Sequence, residues 1–220
     1  MTKTLQTELL VVGGGLAGFA AALQAAEAGV NVVLLEKMDA TGGSSAMSGG
    51  CLAFAGTDLQ AAEGIEDSAE LLKRDLLEVG LHENDPALVQ TYVDHQLETY
   101  EWLKKQGVAF SPVIEASSGQ SVPRVHTVDP ADTVRLLESR CRASGRVTIL
   151  LGTRATRLLR DSETAPVHGA LTTGPDGDIT ILARRGVLLA SGGFGRNAEL
   201  VHRYAPQYDN AVFVCGDGNV

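Results

Sequence analysis

The chain has 220 residues, 44 % hydrophobic and 20 % charged, which excludes a disordered or collagen-like polymer and suits one large domain or one and a half smaller ones. Its 25 glycines exceed the roughly 7 % share of an ordinary globular protein, so many positions need an unusual backbone or a close approach. A net charge of −9 repels a phosphate backbone, and no basic cluster offsets it, which argues against a nucleic-acid partner.

Met1 to Thr7 is polar and lacks the basic start of a signal peptide. Leu9–Val12 is a short apolar run ending in glycines and is read as a strand buried on both faces. Leu16 to Gly29 is Ala-rich and closed by glycine, a helix, and Val30 to Leu35 is the next β-branched run. This β-α-β order predicts two parallel strands joined by a right-handed crossover. The apolar stretch from Leu9 to Ala26 is broken by glycines and Gln24, so strand, turn and helix describe it better than a membrane span. From Thr41 to Gly56 the chain turns to Gly, Ser and Ala, either a flexible loop or a surface that something flat lies against.

Asp67-Ser68-Ala69-Glu70 has capping-box spacing ahead of Leu71, Leu72, Leu76 and Leu77. Asp85-Pro86 opens a helix ending near Gly107, with Leu88, Val89, Tyr92, Val93, Leu97, Tyr100 and Leu103 on one apolar face. Ser111 to Val128, with Pro112 and Pro123, reads as irregular. Asp129-Pro130 starts a helix to Ser144, followed by five β-like runs: Val147–Leu151, Thr153–Leu159, Val167–Thr172, Ile179–Ala183 and Gly186–Ala190. Gly174-Pro175-Asp176-Gly177 makes a hairpin turn, and Asn197 to Tyr204 is a short helix. The fold class is therefore α/β: a Rossmann-like parallel sheet with a β-meander and an inserted helical segment. Its parts are a βαβ unit with a glycine-rich loop (1–56), a helical insertion and loop (57–128), and a helix, meander and return strand (129–220).

Gly13-x-Gly15-x-x-Gly18 stands between strand and helix, and Glu36 follows Gly15 by 21 positions, close to the roughly 20 of a dinucleotide fingerprint. Gly13 permits the turn, Gly15 lets backbone approach a diphosphate, Gly18 packs helix on sheet, and Glu36 accepts the ribose hydroxyls. That carboxylate repels a 2′-phosphate, which disfavours NADP. NAD and FAD share the fingerprint; the cluster Gly42-Gly43-Ser44-Ser45-Ala46-Met47-Ser48-Gly49-Gly50 favours FAD, since small residues there let backbone run beside an extended cofactor. Cys51, Cys141 and Cys215 lie far apart and form neither a zinc spacing nor a disulfide scaffold, which points to a reducing, cytoplasmic setting. No metal site is expected, because His82, His95, His168 and His202 lack ligand spacing.

Leu10 to Gly18, Leu34-Leu35-Glu36-Lys37 and Gly42 to Gly50 resemble the flavoproteins of the fumarate reductase and succinate dehydrogenase group, which includes soluble fumarate reductases and 3-ketosteroid dehydrogenases. The resemblance continues through Ser121 to His126, Gly152 to Leu159, Ala190 to Asn197 and Gly216-Asp217-Gly218. It implies diphosphate contacts along Gly15, Ala17 and Gly18 beside Gly13 and Gly14, and a ribose contact from Glu36. Nearer the diphosphate and ring it implies Lys37, Gly42, Gly43, Ser44, Gly49 and Gly50. It further implies adenine against Ala155, a strand end at Ala190, Ser191 and Gly192, and a flavin-side Asp217. Arg124 and His126 become substrate-side candidates.

No His lies between Met1 and Leu81, so the histidyl-linked flavin of the quinone-linked members is not expected and FAD is non-covalent. The implied chemistry is hydride transfer at flavin N5 with a small-molecule substrate: a dicarboxylate, a related acid or a ketosteroid. The group's capping domain, which supplies substrate-binding and proton-donating residues, is expected to be absent from this chain, leaving a place for a cap or partner chain. A non-catalytic nucleotide-binding or interaction module, and an NAD-dependent dehydrogenase, stand as alternatives.

Overall fold

The computed structural model describes residues 3–212 together with Gly216, Gly218 and Val220. The chain begins with β1 (Lys3–Thr7), β2 (Leu9–Val12), α1 (Leu16–Glu27), β3 (Val32–Leu35) and a single helical turn, α2 (Gly43–Ala46). It continues through β4 (Cys51–Ala53), α3 (Asp58–Ala62), α4 (Ala69–Val79), α5 (Pro86–Gln106), β5 (Phe110–Glu115) and β6 (Val125–Val128). After α6 (Pro130–Ala143) come β7 (Val147–Leu150), β8 (Arg154–Leu159), β9 (Gly169–Gly174), β10 (Gly177–Ala183), β11 (Val187–Leu189) and α7 (Ala198–Tyr204). Two compact units result, Met1–Ser48 with Pro130–Val220, and Gly49–Asp129.

The first unit holds two four-stranded sheets. One is parallel throughout, in the order β11-β2-β3-β7, with Leu9 opposite Val32 and Val32 opposite Val147. Its central strands are nearly all apolar because both faces are covered. The other runs β1-β10-β9-β8: an antiparallel meander whose Gly174–Gly177 turn closes as the sequence predicts, plus β1 added in parallel to β10. Polar Lys3–Thr7 gives no clear signal for β1, because an edge strand buries little side chain. Leu10, Val33 and Leu35 from the parallel sheet meet Ala170, Ile181 and Ala183 from the meander in one buried cluster. On α1, the fully buried Phe19 and Ala22 face inward, and the Cys141 thiol of α6 donates to the Phe19 carbonyl at 3.6 Å. Burial pushes that thiol up to about 12, which leaves it a packing group.

The second unit combines a three-stranded antiparallel sheet, β4-β6-β5, with α3, α4 and α5. Here the structure corrects the sequence reading. Ser111 to Val128 is not wholly irregular, since β5 and β6 flank its loop. Pro112 is tolerated because β5 is an edge strand whose register shifts between Phe110 and Ile114. Helix α4 is capped by Ser68, whose hydroxyl accepts the Leu71 amide, while Asp67 is drawn inward to Arg124. Helix α3 was not anticipated, although Thr57 and Gln60 form a full capping box at its start. On α5, Asp85 and left-handed Gly107 bound the helix as expected, but the buried stripe is narrower. Val89, Val93, Tyr100 and Leu103 are buried with Gln96, whereas Leu88 is 69 % exposed.

Candidate functional site

A cleft opens in the first unit above the carboxyl ends of β2, β3 and β11, where strands empty into glycine-rich turns. Between β2 and α1, Gly13 has φ of +117° and donates its amide to the Leu35 carbonyl at 2.8 Å. A Cβ on Gly13 would overlap the Ala190 carbonyl, and one on Gly18 would overlap the Gly13 carbonyl. Both glycines are thus demanded by the fold. Gly15 differs: its φ is −89°, and a Cβ there would meet only Ser45 Oγ at 3.4 Å and Gly42 O at 3.8 Å, ordinary contacts. No internal packing requires glycine at position 15, and its bare Cα forms part of the cleft wall.

The first amides of a helix have no intrahelical acceptor. On α1 the Leu16 amide donates to Ser45 Oγ at 3.1 Å, and no acceptor among the described residues meets the amides of Gly15, Ala17 or Gly18. Glu36 closes one side: Oε2 accepts the Gly14 amide at 2.8 Å and Oε1 the Met38 amide at 2.9 Å. Each oxygen keeps a lone pair for a further donor. The segment after Glu36 is tied down, since Gly42 donates its amide to the Gly14 carbonyl at 2.8 Å and Thr41 donates its hydroxyl to Glu138 at 2.5 Å. Residues 41 and 42 are thus anchored to α6 and to the first glycine turn.

The cleft brings together Gly13, Gly14, Gly15 and Ala17 with Glu36, then Gly43 and Ser44, and finally Ala190, Ser191 and Gly192. Gly18 lies buried beneath the turn, and Gly42, with φ of +116°, supports the wall from behind. Lys37 stands beside the cleft with Nζ 3.0 Å from the Val220 carbonyl; burial and the Arg154 charge push its amine down, against the opposing pull of Glu36. Ala155 sits on outer strand β8, packed against the buried cluster and opposite Thr172, away from the cleft lining. Gly49 and Gly50 belong to the second unit, where Gly50 has φ of +70° and its carbonyl accepts the Val128 amide. Asp217 lies outside the described residues, as does Cys215. Leu16, Met38, Ala40, Ser45 and Gly218 line the cleft without having been singled out; only Ser45 carried a signal, as part of the glycine-serine run.

Arg124 and His126 require correction as substrate-side candidates, for both are wholly buried in the second unit. Arg124 Nε and Nη2 grip the two Asp67 oxygens at 2.6 and 2.8 Å, while Nη1 reaches Asp75 at 2.5 Å. Burial opposes ionisation of Asp75, but bonds from Arg124 and from the Ser121 hydroxyl and amide outweigh it, holding the carboxyl at about 2. His126 Nδ1 faces the Arg124 carbonyl at 2.8 Å and so carries the proton, leaving Nε2 to accept the Thr57 hydroxyl at 2.8 Å. Burial pushes this imidazole below its ordinary value, despite the Arg124 carbonyl and the more distant Asp58 and Asp67. These groups hold α4, β6 and the loop before it together and present no polar atom to a ligand.

The family model described as the FAD binding domain matches residues 8–219. The urocanate reductase of Eggerthella lenta is 36 % identical over 213 residues, which are 95 % of this chain and 35 % of that protein. A probable fumarate reductase of Shewanella frigidimarina is 31 % identical over 222 residues, covering 96 % of this chain and 37 % of its own. Among solved structures, a flavocytochrome c3 fumarate reductase in an open conformation aligns with a TM-score of 0.91 at 30 % identity, over 97 % of this chain and 38 % of that one. A 3-ketosteroid-Δ4-(5α)-dehydrogenase of Rhodococcus jostii aligns at 0.86 and 25 % identity, over 98 % and 51 %. The chain spans about a third of the length of the curated relatives it matches.

Proposed function

The chain belongs to the FAD-binding domain family, and on that premise we propose that it is the non-covalent FAD-holding part of an oxidoreductase acting on carbon–carbon double bonds. Gly15 carries the reading. A glycine that neither backbone strain nor packing requires, at a helix start where the amides of Gly15 and Ala17 meet no acceptor among the described residues, leaves room for a ligand at the place where those amides can hold an anion. The residues present therefore fit a diphosphate. We assign the diphosphate to the amides of Gly15 and Ala17, and the ribose hydroxyls to the free lone pairs of Glu36. Backbone at Gly43, Ser44 and Ala190–Gly192 forms the remaining walls. The Glu36 carboxylate also repels a 2′-phosphate, which sets the preference against NADP.

Bound FAD supplies a two-electron carrier that exchanges hydride at N5 with an activated double bond. The chain's own part is to hold the diphosphate on α1 and to keep the second glycine segment in place through Gly42 and Thr41. Relatives named as urocanate and fumarate reductases support a small unsaturated acid as substrate. We assign the groups that bind and protonate it to the additional length those relatives have, in a cap or a partner chain, rather than to Arg124 or His126. No helix among the described residues is long and apolar enough to cross a membrane, and the free thiols of Cys51 and Cys141 suit a reducing cytoplasm.

Calorimetric titration of the chain with FAD, ADP, NADH and NADPH tests this reading. FAD and ADP are expected to bind and NADPH to bind weakest. Absence of binding by both FAD and ADP would refute it, and tighter binding of NADH than FAD would favour a nicotinamide enzyme.

A further inference from the structure

Helix α6 meets both glycine segments of the cleft from one of its faces. Val134, Leu137 and Cys141 form its buried stripe, and Cys141 reaches α1 through the Phe19 carbonyl. Glu138 stands one helical turn from Val134 and from Cys141, on that same stripe, with its side chain only 20 % exposed. Both its oxygens are engaged. Oε2 accepts the Thr41 hydroxyl at 2.5 Å across 97 positions of sequence, and Oε1 takes Nε and Nη2 of Arg142 at 2.9 and 2.6 Å. A Glu–Arg pair four residues apart supports a helix equally well on its solvent face, so a carboxylate turned inward, where desolvation opposes it, points to its other partner. That partner opens a weakly held stretch. Thr41 is followed by two glycines in the left-handed region, Gly42 with φ of +116° and Gly43 with φ of +49°, and the Ala46 amide of α2 returns to the Gly42 carbonyl. Glycine loses more conformational freedom on ordering than any other residue, and these two bring no side chain to hold themselves in place.

We infer that Glu138 is a positioning residue for the cofactor site, acting from α6 through the Thr41 hydroxyl to seat residues 42–46 against the first glycine turn. The inference rests on the cofactor reading above and extends it to a residue that does not itself line the cleft. A hydroxyl bonded to a carboxylate makes a short, charge-assisted bond. Here it fixes the backbone one residue before the Gly42 amide, which donates to the Gly14 carbonyl at 2.8 Å. The segment then has a seated state, with both bonds made, and an open one. Ligand meets a complete cleft only in the seated state, so apparent affinity falls in proportion to the fraction of chains seated. Solvent exchange of the buried Gly42 amide reads the same equilibrium, because it requires the open state.

Glu138→Ala, Glu138→Gln, Thr41→Val and Thr41→Ser in the full chain provide the test, with ADP, FAD and adenosine as titrants and hydrogen exchange at the Gly42 amide as a second readout. Glu138→Ala and Thr41→Val should each weaken ADP and FAD about tenfold, the scale of one hydrogen bond to a charged group, and speed Gly42 exchange by a similar factor. The double variant should bind no more weakly than either single one, since both remove the same bond. Adenosine, which ends at the ribose assigned to Glu36, should bind as to the original chain. Glu138→Gln keeps an oxygen for Thr41 while the half-exposed Arg142 turns to solvent, and Thr41→Ser keeps the hydroxyl, so both should retain ADP affinity within about twofold. A lower melting temperature in Glu138→Ala with an unchanged ratio of ADP to adenosine affinity would make Glu138 a structural residue only and overturn the inference. Losses that multiply in the double variant would overturn it too. If the original chain binds neither ADP nor FAD, the cofactor reading fails and takes the positioning role with it, while Gly42 exchange in Glu138→Ala still reports whether Glu138 seats the segment.

Discussion

Three glycines in six positions share a motif yet answer to different forces. At Gly18 a methyl group would drive into the Gly13 carbonyl, which belongs to a turn already pinned by Leu35. Gly18→Ala should therefore destabilise the chain by roughly 1–3 kcal/mol, as overpacking of a tight contact does, and thermal melting would register it. Gly15→Ala should leave stability within about 1 kcal/mol of the original chain, because the methyl group meets only ordinary contacts and stiffens the unfolded chain. It should nevertheless weaken ADP and FAD binding, because the added methyl group stands where the diphosphate approaches. Equal loss of stability in both variants would show that Gly15 serves the fold instead. Glu36 permits a further separation. Glu36→Gln replaces one accepting oxygen by an NH2 group that faces either the Gly14 or the Met38 amide, a donor against a donor. We expect about tenfold weaker ADP binding from that misfit and the lost ribose acceptor, measured by titration.

At the scale of elements, the second unit concentrates its polar interactions on Arg124. Two carboxylates, Asp67 two residues before α4 and Asp75 within it, converge on this guanidinium, and the imidazole two residues after Arg124 is locked between Arg124 and Thr57. Arg124→Met should cost about 3–5 kcal/mol, because it strands buried carboxylates without a counter-charge. The pH dependence has a definite sign. Asp75 ionises more readily folded than unfolded, so its stabilisation is present above its ordinary value of 3.8 and fades as pH falls towards about 2. His126 resists protonation when folded, so it destabilises the unit as pH falls below its ordinary 6.5, where the unfolded chain takes up the proton. Both effects make the second unit acid-labile, with the histidine acting first. The chain has one tryptophan, Trp102 on α5, and its fluorescence in urea should show a lower midpoint at pH 5 than at pH 7. An unchanged midpoint would mean that His126 is not held neutral. None of this was legible in the sequence, because Asp67 and Asp75 lie 57 and 49 positions from Arg124. The helix limits at Asp85, Pro86 and Gly107 were legible because caps are local. Strand β5 was hidden for the opposite reason, Pro112 being a local signal that an edge position overrides.

Over the whole molecule, the cleft was largely legible because strand, turn and acid follow one another in a short stretch, and the same locality left out Gly218, which comes from the other end of the sequence and reaches the cleft only through folding. What the site residues do not set is the long-range field in which an anionic cofactor arrives. The chain carries −9, whereas the helix amides and the neighbouring Lys37 and Arg154 offer a positive environment close to the cleft. The two influences differ in reach. At about 0.01 M salt the screening length is about 30 Å, so the whole-chain charge repels the ligand; at 0.15 M it is about 8 Å and only the local groups are felt. The association rate of ADP should therefore rise as salt is raised over this range, the reverse of electrostatically steered binding. The dissociation rate should change little, since amide contacts at the helix start are short-ranged. Stopped-flow measurement of both rates at several salt concentrations checks this, and an association rate that falls with salt would place the dominant field in the basic groups beside the cleft.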